Sequence, residues 1–360
     1  MLERINRAYK QIARANNALG RRINVMEVCG THTVSIFRTG LRDAFPEGLK
    51  LLSGPGCPVC ITDHGYIDAV ISMAERDDCI IATYGDMIRV PGREGSLEKR
   101  TGKGNIKIIL SAEDTLRLAR ENPDKKIIFV AVGFETTAPA TAVIVNEARQ
   151  QNIKNLYVFS NHKSVIPAMK ALLTDKNSQI DAFMCPGHVS VIIGSDAYKP
   201  LVDIYRKPCV VAGFEPMQII EAISEICKQL ADNTPAVASV YPAAVNSQGN
   251  KTAQKIIEDT FNEVDGYWRG LGQIKQSTLK LKEQFSDYDA EKQLDVQFIP
   301  EEDLTGCRCG EVLCGLIDPP QCAMFANNCT PDTPVGPCMV SSEGACAAWF
   351  KYGRRKRRNQ

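Results

Sequence analysis

Short apolar runs alternate with amphipathic stretches over most of the chain, and this pattern predicts a parallel α/β fold. Leu2, Ile5 and Ile12 recur at helical spacing near the start, and Gly20 supplies the predicted first helix with a C-terminal stop. The predicted strands are 23–28, 49–52, 79–83, 106–110, 127–132, 156–159, 182–185 and 209–212. The predicted helices are roughly 32–45, 62–76, 112–121, 138–150, 164–174 and 216–231.

The same layout recurs after about 100 residues, which predicts an internal duplication of one four-stranded unit. Residues 27–33 align with 131–137, and residues 84–86 align with 186–188. Ligands of parallel α/β sheets bind beyond the carboxyl ends of the strands. Every distinctive motif follows such an end, so two units facing each other would hold these motifs in a cleft between them.

The predicted fold class is α/β, with two duplicated parallel-sheet units facing a cleft and a small Cys-rich iron–sulfur domain. The predicted segments are an N-terminal helix (1–22), a first α/β unit (23–122), a second α/β unit (123–232), a helical connector (233–300) and a Cys-rich domain with a basic tail (301–360). The last segment is rich in Cys, Pro and Gly and too poor in apolar residues for its own core. A metal is therefore expected to hold it together.

The composition of the 360 residues narrows the function classes. A formal net charge of +1 gives no reason to expect binding to nucleic acid or to a membrane. No run approaches the roughly 18 apolar residues of a membrane helix, and no signal peptide is visible. We expect a cytoplasmic protein, in which abundant cysteines act as ligands or catalysts. The basic run at 353–359 is interpreted as a solvated tail rather than a nucleic-acid patch.

Four cysteines in the last segment are widely and irregularly spaced, with prolines between them: Cys322, Cys329, Cys338 and Cys346. Four thiolates suit either zinc or an iron–sulfur cluster. The wide spacing favours a cluster, because structural zinc sites usually contain close Cys pairs. The roles of Cys307, Cys309 and Cys314 stay open: they are alternative ligands, a second redox pair, or neither.

A second thiol motif, Gly-Pro-Gly-Cys-Pro-Val-Cys (54–60), follows a predicted strand. Its Cys57 and Cys60 form a Cys-x-x-Cys pair expected to open a helix, whose N-terminus lowers a thiol pKa. The motif predicts dithiol–disulfide chemistry, with a zinc half-site as the competing interpretation.

A third motif places a thiol and an imidazole together, in Cys29-Gly30-Thr31-His32-Thr33. Cys29 and His32 either bind one metal together, or His32 tunes the Cys29 thiolate. Glu135, in the aligned motif Gly-Phe-Glu-Thr-Thr (133–137), is expected to lie opposite Cys29. No nucleotide-binding fingerprint accompanies these motifs.

These motifs together resemble one family, the hydrogenase maturation protein HypD family, over nearly the whole chain. The matching stretches are 29–33, 54–60, 133–139, Pro-Gly-His-Val-Ser (186–190) and Met-Val-Ser-Ser-Glu-Gly-Ala-Cys-Ala-Ala (339–348). The resemblance implies a [4Fe–4S] cluster in the C-terminal domain. It also implies that the protein works with the chaperone HypC and receives cyanide from HypE, which HypF charges. The assembled product would be an iron atom carrying two cyanides and one carbon monoxide.

The resemblance also implies individual roles: Cys29 as the iron-binding thiol, and Cys57 with Cys60 as the redox pair served by the cluster. A stand-alone iron–sulfur disulfide reductase is the alternative function. A zinc-stabilised binding module is a third. A cluster would give broad visible absorption and zinc would not, whereas cyanide and carbonyl infrared bands would separate assembly from simple disulfide reduction.

Overall fold

Buried apolar strands form two sheets, which the intervening helices cover. The structure is a computed structural model that describes residues 2–103, 105–296, 298–300 and 306–353. The strands are β1 (Ile23–Glu27), β2 (Leu49–Ser53), β3 (Cys79–Thr83), β4 (Ile106–Ile108), β5 (Lys126–Gly133), β6 (Leu156–Lys163), β7 (Ala182–Pro186), β8 (Cys209–Ala212), β9 (Val237–Ser239), β10 (Phe261–Trp268) and β11 (Gly272–Leu281). Each predicted strand overlaps an observed one, because most are uninterrupted apolar runs of the kind that suit strands buried on both faces. The strand predicted at 106–110 is shorter, since β4 ends at Ile108 and is largely exposed at a sheet edge.

The helices begin after strand ends and pack on the sheet faces. They are α1 (Leu2–Leu19), α2 (Gly30–Arg38), α3 (Leu41–Ala44), α4 (His64–Ala74), α5 (Asp114–Glu121), α6 (Ala138–Gln150), α7 (Val165–Thr174), α8 (Gly187–Ile193), α9 (Lys199–Tyr205), α10 (Pro216–Asp232), α11 (Lys251–Thr260), α12 (Ala290–Gln293), α13 (Cys309–Leu313), α14 (Pro337–Val340) and α15 (Ala345–Tyr352). Short 3-10 helices span Gly85–Arg89, Leu97–Lys103, Ser195–Tyr198, Glu283–Tyr288 and Pro319–Gln321. None of the described helices is long and apolar enough to cross a membrane.

The predicted α/β class with parallel-dominated sheets is confirmed. The first sheet has the order β2-β1-β7-β8-β9, and all its pairs are parallel. The second sheet has the order β10-β11-β6-β5-β3-β4; its pairs among β3 to β6 are parallel, and β10 and β11 join antiparallel at one edge.

Each sheet combines strands from both predicted units. With an offset of about 100 residues, the predicted repeat partners are β1 with β5, β2 with β6, β3 with β7 and β4 with β8. Replacing each strand of the order β2-β1-β7-β8 by its partner gives β6-β5-β3-β4, which is the order in the second sheet. This is the relationship expected if two copies of one unit exchange their last two strands, although the duplication itself stays a prediction. The boundary predicted between residues 122 and 123 therefore does not separate the sheets. Strands and helices alternate along the chain in the same way whether each unit forms its own sheet or the units exchange strands. Only the pairing of strands far apart in the sequence distinguishes the two arrangements.

The segment predicted as a helical connector (233–300) contains a β-hairpin as well as helices. Strands β10 and β11 pair antiparallel from Phe261 opposite Leu281 to Trp268 opposite Gly272. Residues 266–272 form the end of β10, the turn that follows it and the start of β11. The hairpin lacks a regular apolar alternation because much of β10 is exposed at the sheet edge, where polar residues are tolerated.

The Cys-rich segment shares the main hydrophobic core rather than forming one of its own. Cys309, Leu313 and Cys338 belong to the same buried cluster as Met26 and Leu52 of the first sheet. This packing supplies apolar contacts that the composition of the segment lacks. The part of the predicted basic run beyond Gly353 lies outside the described residues.

An ion pair and an aromatic stack fasten the Cys-rich segment to the helices beside β1. The Arg42 guanidinium lies 3.2 Å from the Asp318 carboxylate and 4.4 Å from the centre of the Trp349 ring. Both contacts are largely shielded from water, since the Arg42 side chain is only 15% exposed. The segment is therefore held in a defined place against the strand ends of the first sheet.

Candidate functional site

A cleft of about 490 Å³ lies where strand ends of both sheets meet. Its lining comes from the residues at or just after the ends of β1, β2, β3, β5, β6 and β7, together with the Cys-rich segment. The polar lining residues include Cys29, Asp86, Thr136, Thr137, His188 and Glu343. Carboxyl ends of parallel strands are where α/β folds bind ligands. The cleft is accordingly the first candidate site.

Cys29 sits at the first turn of α2, directly after β1. Its side chain is 7% exposed and its backbone is extended, with φ of −151°. Gly56 presses against it: a Cβ on Gly56 would lie 2.2 Å from the Cys29 backbone nitrogen. Only glycine permits this approach. The glycine just before the Cys-x-x-Cys pair thus fixes the position of Cys29.

The Cys29 thiol is protonated at neutral pH in this environment. Its pKa is raised to about 12, mainly by burial and also by the nearby Glu343 carboxylate, although the backbone N–H of His32 opposes the shift. Glu343 is itself held by the Thr31 hydroxyl, which donates to its Oε1 over 2.7 Å. A cation bound at Cys29 would replace the proton, because thiolates are the form that binds metals.

His32 does not line the cleft. Its Nε2 donates to the Gly213 carbonyl over 3.0 Å, and its ring packs 4.7 Å from the Phe214 ring. Burial lowers the pKa of His32 to about 4, so the ring is neutral. The imidazole that does line the cleft is His188, whose ring centre lies 4.0 Å from that of Phe214. Sequence reasoning assigned the tuning role to His32, although His188 also follows a strand end.

Glu135 also lies outside the cleft. Its neighbours Phe134 and Thr136 line the cleft, whereas Glu135 lines a second pocket. Its Oε1 accepts a hydrogen bond from the Val165 backbone N–H over 2.8 Å. Cys29 and Glu135 were expected to lie opposite each other, but the structure places them in different pockets.

Sequence reasoning missed a buried acid beneath Cys29. Glu27 ends β1, and its Oε1 accepts a hydrogen bond of 2.6 Å from the Thr33 hydroxyl. Burial raises the pKa of Glu27 to about 8, although the Thr33 hydroxyl and other neighbours stabilise the carboxylate. Its place at a strand end, two residues before Cys29, was the available signal.

The Cys57–Cys60 pair forms a buried turn rather than the start of a helix. The Cys60 backbone N–H lies 3.4 Å from Cys57 Sγ, and α4 begins only at His64, capped by Asp63. Burial raises the pKa of Cys60, and neighbouring thiols raise it further. The expected helix-terminus effect on this thiol is therefore absent. The pair keeps its close spacing without a preformed Cys60 thiolate.

The turn connects with the Cys-rich segment through direct thiol contacts. Cys338 interacts with both Cys60 and Cys309, and these two hydrogen bonds lower the pKa of Cys338. Cys309 Sγ in turn lies 3.1 Å from Cys307 Sγ. The thiols therefore form a continuous row from the Cys-x-x-Cys turn into the C-terminal segment, and the two groups of cysteines predicted from sequence meet.

A nearly closed pocket at the far end of this row is lined by five thiols, those of Cys307, Cys309, Cys322, Cys329 and Cys346. The other walls are mainly apolar, from Val312, Met324, Phe325, Val335 and Met339. Cys338 does not line this pocket. Three of the four predicted cluster ligands therefore share it, and Cys307 and Cys309 are further candidates. Among the described residues, no three His, Cys, Asp or Glu side chains already stand in metal-binding geometry.

Two hydrogen bonds connect the Cys-rich segment with the cleft. Besides the Thr31–Glu343 bond, the Ser341 hydroxyl donates to Asp86 Oδ2 over 3.1 Å. Ser341 and Glu343 lie between Cys338 and Cys346 in the chain. One short stretch therefore carries residues of the cleft, the thiol row and the five-thiol pocket.

Comparison with known proteins assigns the chain to a family. The family model HypD, described as "Hydrogenase formation hypA family", matches residues 3–353. The HypD hydrogenase maturation factor of Escherichia coli is 42% identical over 336 residues, covering 92% of this chain and 90% of that protein. The HypD of Rhizobium leguminosarum bv. viciae is 40% identical over 357 residues, covering 96% and 93%. The hydrogenase expression/formation protein HupD of Azotobacter chroococcum is 40% identical over 344 residues, covering 93% and 91%.

Proposed function

The chain belongs to the HypD family of hydrogenase maturation factors, and we propose that it is the iron–sulfur redox scaffold on which an Fe(CN)2CO unit is built. In this proposal HypC shares the iron, and HypE, charged by HypF, donates the cyanide. The cytoplasm suits this role, since its reducing conditions keep abundant thiols free.

The observation that carries the proposal is the row of thiols between two possible metal sites. Cys338 contacts Cys60 at one end and Cys309 at the other. Gly56, next to the Cys-x-x-Cys pair, touches Cys29 in the cleft. Electrons held in the five-thiol pocket would therefore reach the neighbourhood of Cys29 without leaving the protein interior.

The five-thiol pocket fits an iron–sulfur cluster by the chemistry of its donors. Four soft thiolates in an apolar enclosure are what a [4Fe–4S] cluster requires. Five thiols line this pocket, and of these Cys309 is the one that hydrogen-bonds Cys338. We therefore assign the other four, Cys307, Cys322, Cys329 and Cys346, as the cluster ligands, in place of Cys338. A cluster there would supply single electrons to the neighbouring thiols. Cys309 and Cys338, in contact with each other, would then form a dithiol between pocket and turn.

The Cys57–Cys60 dithiol would supply the electron pair that releases cyanide. A thiocyanate donor R–S–CN reacts with two thiols to give R–SH, HCN and one disulfide, so that the S–C bond breaks while an S–S bond forms. The two thiol hydrogens end on R–SH and HCN, which balances the step. Iron held by the Cys29 thiolate would then take the released cyanide as its ligand.

Infrared spectroscopy of the anaerobically purified complex with HypC tests this assembly role. We expect cyanide and carbonyl bands in the wild type and in the control Cys227→Ala, which changes a buried thiol of α10 remote from the cleft. Cys29→Ala should lose the bands while keeping the visible absorption of the cluster. Bands that persist in Cys29→Ala would contradict the assignment.

A stand-alone disulfide reductase is the second candidate, because the thiol row by itself suffices to carry reducing equivalents to Cys57 and Cys60. Such a protein would not need Cys29. Full disulfide-reducing activity in Cys29→Ala, with no infrared bands in the wild-type complex, would favour this second function.

A further inference from the structure

A buried carboxyl group outside the thiol cleft has an unused oxygen. Glu135 is only 7% exposed, and its Oε1 is occupied by the Val165 N–H. Its Oε2 has no hydrogen-bond partner within the described part of the chain. Buried polar atoms are nearly always satisfied, so such an atom beside a pocket indicates a missing partner.

The electrostatics of Glu135 indicate the charge of that partner. The pKa of Glu135 is raised to about 7, mainly by burial and in smaller part by the Glu263 carboxylate, against the lowering effect of its backbone hydrogen bonds. Two carboxyl groups that repel each other across a pocket would both be stabilised by one cation between them. A neutral donor would satisfy Oε2 but would leave this repulsion in place.

The pocket has the size and lining for an organic cation. It measures about 670 Å³ and is bounded by α7, α8, α11, β10 and β11. Apolar side chains form much of its wall, including Ile166, Ile192, Ile193 and Phe261. Three carboxyl groups line it, those of Glu135, Glu258 and Glu263, against the single amine of Lys282. Apolar walls around a carboxylate suit a charged head on a hydrocarbon stem.

We propose that this pocket binds a guanidinium or ammonium group, which donates to Glu135 Oε2 and lies between Glu135 and Glu263. A guanidinium fits best, because its planar fork of N–H groups can serve two acceptors while its stem packs on the isoleucines. The group comes either from a free small molecule or from an Arg or Lys side chain of a partner protein.

The site is separate from the proposed iron chemistry. Successive residues of one motif line different pockets, with Phe134 and Thr136 at the cleft and Glu135 at this pocket. Binding at Glu135 therefore needs neither Cys29 nor a metal, and the inference stands independently of the proposed function.

Calorimetric titration of the full reduced chain with ethylguanidinium chloride tests the inference, with N-ethylurea as the uncharged isostere. We expect ethylguanidinium to bind, and Glu135→Gln to weaken it by about tenfold or more, the loss typical of a charged hydrogen-bond partner. N-ethylurea should not bind measurably. The matched control Glu121→Gln, an exposed carboxyl that does not line the pocket, should leave the Kd unchanged.

Glu263→Gln gives a second reading that does not depend on a core substitution, because this side chain is exposed. It should weaken ethylguanidinium binding by about threefold, as loss of a partly screened charge does. An acetyl-Gly-Arg-Gly-amide peptide distinguishes the sources: about tenfold tighter binding than ethylguanidinium indicates a protein side chain, and equal binding indicates a free molecule. The inference is overturned if ethylguanidinium does not bind, if N-ethylurea binds equally well, or if both variants bind as the wild type does.

Discussion

Gly336 is predicted to be essential for cluster binding because two cysteine sulfurs occupy the space of its missing side chain. A Cβ on Gly336 would lie 2.5 Å from Cys307 Sγ and 2.7 Å from Cys309 Sγ. Ordinary contact needs about 3.5 Å, so in Gly336→Ala each sulfur must move by about 1 Å. A displacement of that size is several times the roughly 0.2 Å by which metal–ligand distances vary in sound sites.

The protein without metal should tolerate Gly336→Ala better than the protein with its cluster. A free cysteine rotates at χ1 to relieve the clash, whereas a ligated one is held in place. Overpacking of this kind costs about 1–3 kcal/mol, which corresponds to roughly a 5- to 150-fold loss of cluster affinity. Iron and acid-labile sulfide should be measured after anaerobic reconstitution, together with visible absorption and the unfolding midpoint of the metal-free protein.

The control is Gly85→Ala, whose added Cβ meets only Ile108 Cγ2 at 3.9 Å. It should reconstitute as the wild type does. A Gly336→Ala protein that takes up the cluster with wild-type stoichiometry and affinity would refute the placement of Cys307 in the cluster pocket.

Three further predictions concern the thiol row, the buried acid and the two imidazoles. Cys338→Ser should keep the visible cluster absorption but slow the reduction of the Cys57–Cys60 disulfide by dithionite; bleaching would instead restore Cys338 as a ligand. Glu27, with its pKa raised to about 8 by burial, stabilises the fold fully below pH 4.5 and loses that contribution as the pH rises toward 8. Urea unfolding at pH 5 and 8 should therefore show a larger loss of stability in the wild type than in Glu27→Gln, by roughly 3 to 4 kcal/mol; equal losses would show that Glu27 is not buried as an acid. His188→Ala should shift the infrared bands with little change in the unfolding midpoint, whereas His32→Ala should mainly lower that midpoint, and the reverse pattern would reinstate His32 as the tuning residue.

The position of His188 illustrates what strand-end motifs leave open. Both His32 and His188 follow a strand, and both flank Phe214. Their sequence surroundings do not reveal that only His188 lines the cleft. The direction of a side chain just past a strand depends on how the following helix packs, which is a property of the whole fold.

Cys338 illustrates the same limit for metal ligands. The sequence revealed a Cys-rich segment with few apolar residues, because the local composition shows both the thiol ligands and the shortage of apolar side chains. Spacing did not separate a thiol that lines the pocket from one that contacts Cys60 instead. Sulfur positions in a loop-rich segment follow from contacts with distant strands, and no local pattern records those contacts.

The sequence by itself determined the secondary structure of the α/β part and the family. Apolar periodicity is local, so strands such as Cys79–Thr83 and Cys209–Ala212 could be predicted to the residue. The tertiary structure decided the rest: which strands share a sheet, the hairpin of β10 and β11, the separation of Glu135 from Cys29, and the contact between Cys60 and Cys338. All of these depend on pairings between residues far apart in the chain, whose energies arise only when the folded surfaces meet.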